Sequence, residues 1–225
     1  MTGWLKTIFG PREREGALGA RLRQYPPFVL PHPGSGGELS DDQARENLAN
    51  WLQQREPRLA TITRLLHDDA GLDTAPALAA PRQHAAALCS ALQQWATEAW
   101  PALPPHPRPA YSHWLHSRRD GDGLVYSMLA DLALLLGELV CRGNPAWRWG
   151  VDLDPQNIAD GLLTARRIVL LADVGGHRFV LDVEAVVVAR FLDAEAPAQR
   201  LLDPLRQLVE RGLRGDDFVV LGGSG

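Results

Sequence analysis

Apolar residues recur every three or four positions through most of the first half of the chain, and at every second position through part of the second half. The first helix opens at Ser40, an N-cap followed by Asp41 and Asp42, whose charges suit the positive end of a helix. Leu48, Trp51 and Leu52 supply its apolar stripe up to Pro57. Proline fits best in the first turn of a helix, so Pro57 is read as opening a second helix. That helix turns Leu59, Ile62, Leu65 and Leu66 inward and stops at Gly71. A third runs from about Pro81 to Trp100, with Leu88, Leu92, Trp95 and Ala99 on one side. Five prolines between Pro101 and Pro109 then form a stiff connection that no helix crosses.

Beyond it the pattern changes. A short helical or extended piece, Tyr111 to Arg119, meets the Asp120-Gly121-Asp122-Gly123 turn, and a long apolar helix follows from Tyr126 to about Cys141, with Arg142-Gly143 as its C-cap. Trp147 to Leu153 alternates as a strand does. Arg167 to Ala172 and His177 to Asp182 flank Asp173-Val174-Gly175-Gly176, a hairpin signal with glycine where the turn requires positive φ. Glu184 to Leu192 and Arg200 to Leu213 read as closing helices, Val186 to Val188 alternatively extending the sheet, and Phe218 to Leu221 as a last edge strand.

The pattern therefore predicts an α+β fold, mostly helical, with a small antiparallel sheet formed by the C-terminal half. Residues 39–221 form one domain, helical over 39–110 and helix-plus-sheet over 111–221. Residues 1–38 precede it as an appendage: an apolar start (Trp4, Leu5, Ile8, Phe9), then a Pro/Gly-rich linker through Pro26-Pro27 and Pro31 to Gly37. Residues 222–225 form a glycine-rich tail.

Composition narrows the class of function. The chain has 225 residues and a formal net charge of -4, so no overall basic field draws it to nucleic acid. Lys6 is the only lysine, and arginine supplies every other basic residue, as a GC-rich bacterial genome would encode. The short clusters Arg12/Arg14, Arg118-Arg119 and Arg166-Arg167 are each balanced by nearby acids. Cys89 and Cys141 sit in apolar helical patterns and read as buried free thiols, without metal-site spacing. The start is too short for a signal peptide, and the run Met128 to Leu136 is too short to span a bilayer. The expected compartment is the cytoplasm.

Candidate chemistry is sparse. His113 and His116 lie three apart, within reach of one metal ion on a helix, although solvated positions beside Trp114 and Leu115 are the simpler reading. Asp131 and Glu138 lie seven apart on one face of the apolar helix. Each is either a general-acid candidate or the partner of an arginine, with Arg148 and Arg166 as the nearest suggestions. Gly137, beside Glu138, points to close approach of another element. Asp152, Asp154 and Asn157 leave the Trp strand with oxygen ligands for a cation, or more simply with Asp154 capping a short helix that opens at Pro155. Trp147 and Trp149 share one strand face, suited to a partner hot spot or to a core contact. No nucleophile elbow, zincin, dinucleotide or P-loop motif is present, and no resident metal or cofactor is implied.

The Leu136-Gly137-Glu138-Leu139 helix, the Asn144-Pro-Ala-Trp-Arg-Trp-Gly-Val-Asp152 strand and the later Phe179-Val-Leu-Asp-Val-Glu184 together resemble uncharacterised bacterial α+β proteins. Similar families occur near toxin and secretion-system genes, where immunity proteins bind and block a toxin. The resemblance spans roughly residues 111–192, carries no catalytic residue, and implies a binding role. The leading expectation is thus a non-enzymatic protein that binds another protein, in the manner of a toxin-neutralising immunity protein. Trp147, Trp149, Asp152, Asp154 and Asp160 are its candidate contacts, the acids facing a basic partner. The alternatives are a hydrolase using Glu138, Asp131, His113 or His116 through carboxylate or metal chemistry, and a structural subunit of a larger assembly.

Overall fold

Every residue from Val125 to Val140 is buried, so the centre of the molecule is a helix with no solvent face. A helix apolar all round can be stable only when other elements enclose it, and the rest of the chain is arranged to do so. The computed structural model describes residues 18–105, 107–193 and 203–215. The expected apolar start, Arg12/Arg14, the strand at Phe218 to Leu221 and the glycine tail lie outside these residues.

In chain order the helices are α1 (Asp41–Ala70), α2 (Ala75–Ala79), α3 (Pro81–Ala99), the central α4 (Leu124–Gly143), α5 (Pro155–Ala159), α6 (Val183–Leu192) and α7 (Pro204–Arg214). The strands are β1 (Trp147–Val151), β2 (Ile168–Val174) and β3 (His177–Leu181), forming one antiparallel sheet in the order β1-β2-β3. The α+β class is as the periodicity indicates. Trp147 pairs with Ala172, Trp149 with Leu170, and Leu170 in turn with Leu181. Gly175 and Gly176 close the β2–β3 hairpin at φ +60° and +80°, the left-handed pair that a two-residue turn of this hand needs.

α1 departs from the expected pair of helices. Ser40 caps it in a full capping box with Gln43, and Gly71 ends it in the left-handed conformation. Between them the helix runs 30 residues straight through Pro57. Its buried positions include Trp51 before the proline and Arg58, Leu59 and Ile62 after it, all on the side facing the core. Burial on both sides of Pro57 offsets the hydrogen bond that proline cannot donate. Leu52, expected in the apolar stripe, is instead exposed.

Residues 18–38, expected as the end of an appendage and linker, are built into the core from Leu18 onward. Leu18, Leu22, Tyr25 and Phe28 are buried. The extended strap from Tyr25 onward is tied down by backbone donors and acceptors that regular structure does not use. Phe28 N donates to Ser127 Oγ at 2.8 Å, His32 N to Asn47 Oδ1 at 3.0 Å, and Asn47 Nδ2 back to the His32 carbonyl at 2.8 Å. Gly34 N donates to the Leu115 carbonyl at 3.1 Å. Proline-rich chain can thus be ordered without secondary structure when side chains satisfy its backbone.

α4 continues beyond the expected C-cap to Gly143, and is long and apolar enough to cross a membrane by length and composition. Within the fold 89% of that window is covered by protein, which accounts for its hydropathy as that of a core helix. α7 closes over its C-terminal end: Asn144 Nδ2 and Trp147 Nε1 both donate to the Gly212 carbonyl, at 2.8 and 3.1 Å.

Candidate functional site

The two acids of α4 face α1, and each meets an arginine there. Asp131, fully buried, takes Arg58 Nε on Oδ1 at 2.8 Å and Nη2 on Oδ2 at 2.5 Å, and the Tyr25 hydroxyl on Oδ2 at 2.6 Å. Burial pushes its carboxyl above the ordinary aspartate value, against the pull of Arg58 and Tyr25. Burial and the neighbouring Asp131 also raise the Tyr25 hydroxyl. Both carboxylate oxygens of Asp131 are engaged, so this cluster ties strap, α1 and α4 together.

Glu138 lies two turns on, with a side chain 5% exposed. Trp149 Nε1 donates to its Oε1 at 3.0 Å and Arg142 Nε to its Oε2 at 3.3 Å, while Arg55 Nη1 stands 3.8 Å from Oε1. The arginines serving these acids are therefore Arg58, Arg142 and Arg55 rather than Arg148 or Arg166. Around Glu138 opens a cleft of about 470 Å³, lined by Leu52 and Arg55 of α1, Cys141 and Arg142 of α4, and Trp147, Arg148 and Trp149 of β1. Burial pushes the Cys141 thiol up to about 12, with Glu138 adding to the rise.

Trp149 also lines a second space. This narrow, partly open cavity lies beneath the strap and is lined by Trp51, Trp114, Trp149, Arg119, Arg166 and Arg167, among others. The rings of Phe28, Trp51 and Trp149 follow one another at centroid distances of 5.3 Å, so strap, α1 and sheet are joined by aromatic contact. Arg167 stacks 4.1 Å over Trp114 and binds Asp182 through Nε at 2.8 Å and Glu184 through Nη2 at 3.2 Å. Arg119 Nη2 reaches the other Glu184 oxygen at 2.8 Å. Burial works against the Arg167 charge, but Asp182 and Glu184 outweigh it and hold the guanidinium above its ordinary value. Arg119 and Arg166 are the two non-glycine residues with positive φ among the described residues, at +55° and +56°. That conformation costs roughly 1–3 kcal/mol each, and it recurs where surrounding structure dictates a side chain's placement.

The remaining candidates are placed apart from these spaces. Trp147 is buried, its indole committed to α7. Asp152 is also buried: Thr164 Oγ1 donates to Oδ2 at 2.6 Å, Asn157 Nδ2 to Oδ2 at 2.9 Å, and Asp154 N to Oδ1 at 3.2 Å. It orders the 152–166 loop instead of facing outward. Asp154 caps α5 through the Gln156 and Asn157 amides, as its position before Pro155 indicates. Asp160, exposed, accepts from Gln156 Nε2. Glu138 and Asp152 have separate sets of partners and do not form a carboxylate pair. His113 and His116 lie exposed on a 3₁₀ turn, Tyr111–His116, with His116 Nε2 2.7 Å from Glu38 Oε2. Among the described residues no group of three or more His, Cys, Asp or Glu side chains is placed to hold a metal ion.

The sequence reading singled out Trp149 and Glu138, which line this cleft together with Arg55, Arg142 and Leu52, residues it gave no site role, and it did not foresee the cavity. Arg119, Arg166 and Arg167, drawn from two short basic clusters, share a wall only once the chain is folded. In comparison with known proteins, no family model, no curated protein and no solved structure matches the chain.

Proposed function

We propose that this chain is a protein-binding protein, and that the cleft around Trp149 is where its partner docks. The observation that carries the reading is the composition of that cleft. A half-buried tryptophan held by Glu138 stands beside an exposed leucine, Leu52, and the guanidinium-bearing side chains of Arg55, Arg142 and Arg148. Tryptophan and arginine are the residues most enriched where binding energy concentrates, and a rigid indole costs little conformational entropy on docking. The charge of the rim fits a partner segment carrying acidic and apolar side chains. This replaces the acidic patch as the docking face, because Asp152 is spent inside its loop. Toxin neutralisation is the form of this reading that the resemblance to immunity-like families favours.

The test is comparative capture from the native host. Wild type, Leu52→Asp, Arg142→Glu/Arg148→Glu and Asp154→Lys/Asp160→Lys proteins are used as bait, after circular dichroism confirms that each is folded. One stoichiometric partner retained by wild type and by the Asp154/Asp160 variant, but lost by the other two, supports the cleft. Equal capture by all four removes the cleft from consideration, and loss confined to the Asp154/Asp160 variant returns docking to the acidic loop.

A further inference from the structure

Resting on the docking reading above, we propose that the partner enters the cleft as an extended chain, pairs with the free edge of β1 and adds a strand to the sheet. The bonding phase of the sheet identifies that edge. Gly175 and Gly176 make a two-residue turn, so Val174 and His177 exchange hydrogen bonds, and every second pair along the ladder does the same. Leu170, Ala172 and Val174 thus turn their backbone groups towards β3. Val169 and Leu171 turn theirs towards β1, where they meet Gly150 and Arg148. Trp147, Trp149 and Val151 therefore direct N–H and C=O away from β2. Asp152, just past the strand, agrees with this phase: its N donates to the Arg167 carbonyl at 3.2 Å and its carbonyl accepts from Arg166 N at 2.7 Å.

Of these outward groups, Trp147 N is taken by the Asn144 carbonyl at 3.1 Å, while the N–H and C=O of Trp149 have no partner among the described residues. An unpaired strand edge is a template for another strand, with main-chain bonds giving affinity and side-chain pockets giving selectivity. The cleft lies along this edge. Side chains alternate between the two faces of a strand, yet the consecutive residues Trp147, Arg148 and Trp149 all line it, and β2 fills the opposite edge. α1 stands across the gap with Leu52, 44% exposed. An added strand would carry apolar residues on the Leu52 side and acidic ones on the Arg148 side. Arg148 spends only Nη2, on Asp173 at 2.6 Å, and Arg142 only Nε, on Glu138, so both keep N–H donors for a carboxylate. The occupant is accordingly an extended segment of a partner protein in which apolar and acidic side chains alternate.

The test selects a random-peptide phage library on the full chain, with counter-selection against Leu52→Asp, and synthesises the tightest binder. In the wild-type protein, saturating peptide should slow amide exchange at Trp149 about tenfold or more, as a new main-chain bond requires. Gly150, already paired with Val169, is the control and should be unchanged. N-methylation of the peptide should weaken binding about tenfold at alternate residues and little at those between, because only every second amide faces β1. A peptide that depends on Leu52 but leaves Trp149 exchange unaltered, or tolerates N-methylation throughout, overturns strand addition and keeps the cleft as the docking site. A selection that yields no Leu52-dependent peptide also overturns it, while docking by a folded surface is still decided by capture from the host. A Trp149 amide as protected as Gly150 without peptide shows the edge filled by this chain or a second copy of it, and overturns the proposal as well.

Discussion

Arg58 and Asp131, 73 residues apart, form a two-pronged ion pair inside the protein, with side chains 7% and 0% exposed. The pair fixes the register of α1 against α4. Arg58 Nη1 also donates to the Pro26 carbonyl at 2.9 Å, so the start of the strap is held by the same group. A buried pair of this kind contributes little net stability over well-packed apolar residues, but removal of one member strands the other.

Arg58→Ala is therefore expected to destabilise the fold by about 3–5 kcal/mol. Replacing the whole cluster, as Tyr25→Phe/Arg58→Met/Asp131→Leu, should recover most of that loss. Urea denaturation of the two proteins checks this. A triple variant as unstable as the single one would show that the cluster contributes stability itself, beyond orientation.

Gly137 lies directly under Trp149. A Cβ there would stand 2.5 Å from Trp149 Cη2 and closer still to Cζ2, which a rigid indole between helix and sheet cannot relieve. Gly137→Ala should cost about 1–3 kcal/mol. Most of that cost should disappear in a Trp149→Leu background, a coupling that a double-mutant cycle measures directly.

Burial pushes both thiols, Cys89 and Cys141, up to about 12 from an ordinary value of 9.0. The fold thus favours the neutral thiol: its contribution is fully present below pH 9 and is lost as the pH rises towards 12. Alkylation of the native protein should be slow at pH 8 and should still climb about tenfold per pH unit at pH 10. In guanidinium chloride the same rate should level off near pH 9. A native rate that levels off there too would contradict the burial of these groups.

Glu38 ties the strap to the 3₁₀ turn. The Ser35 amide, then the Ser35 hydroxyl and His116, hold its carboxyl down to about 2. A lowered carboxylate stabilises the fold above its ordinary value of 4.5, and that contribution fades as the pH falls towards 2. The stability difference between wild type and Glu38→Gln should accordingly be small at pH 5 and vanish towards pH 2 in acid titrations of unfolding. A difference that persists at pH 2 would assign the effect to packing.

Much of the build is local and was legible from the sequence. Ser40 and Gly71 bound α1, Asp154-Pro155 starts α5 and Gly175-Gly176 turns the hairpin, because caps and turns depend on backbone geometry within a few residues. The apolar run around Leu134 announced a core helix, and Gly137 announced a close neighbour, later found to be Trp149. Residues 18–38 and Pro57 misled a local reading, since composition there opposes regular structure and only burial against α4 overrides it.

What tertiary structure alone decided is which charges meet. Arg58 with Asp131, Arg55 and Arg142 with Glu138, and Arg119 and Arg167 with Glu184 are choices among many arginines and acids scattered along the chain. No spacing encodes them, because each pair but Arg142–Glu138 joins separate segments. The same holds for the cleft and the cavity, which share Trp149 in their walls. Their walls come from strap, helix and sheet, and a space between elements exists only when the packing that surrounds it is complete.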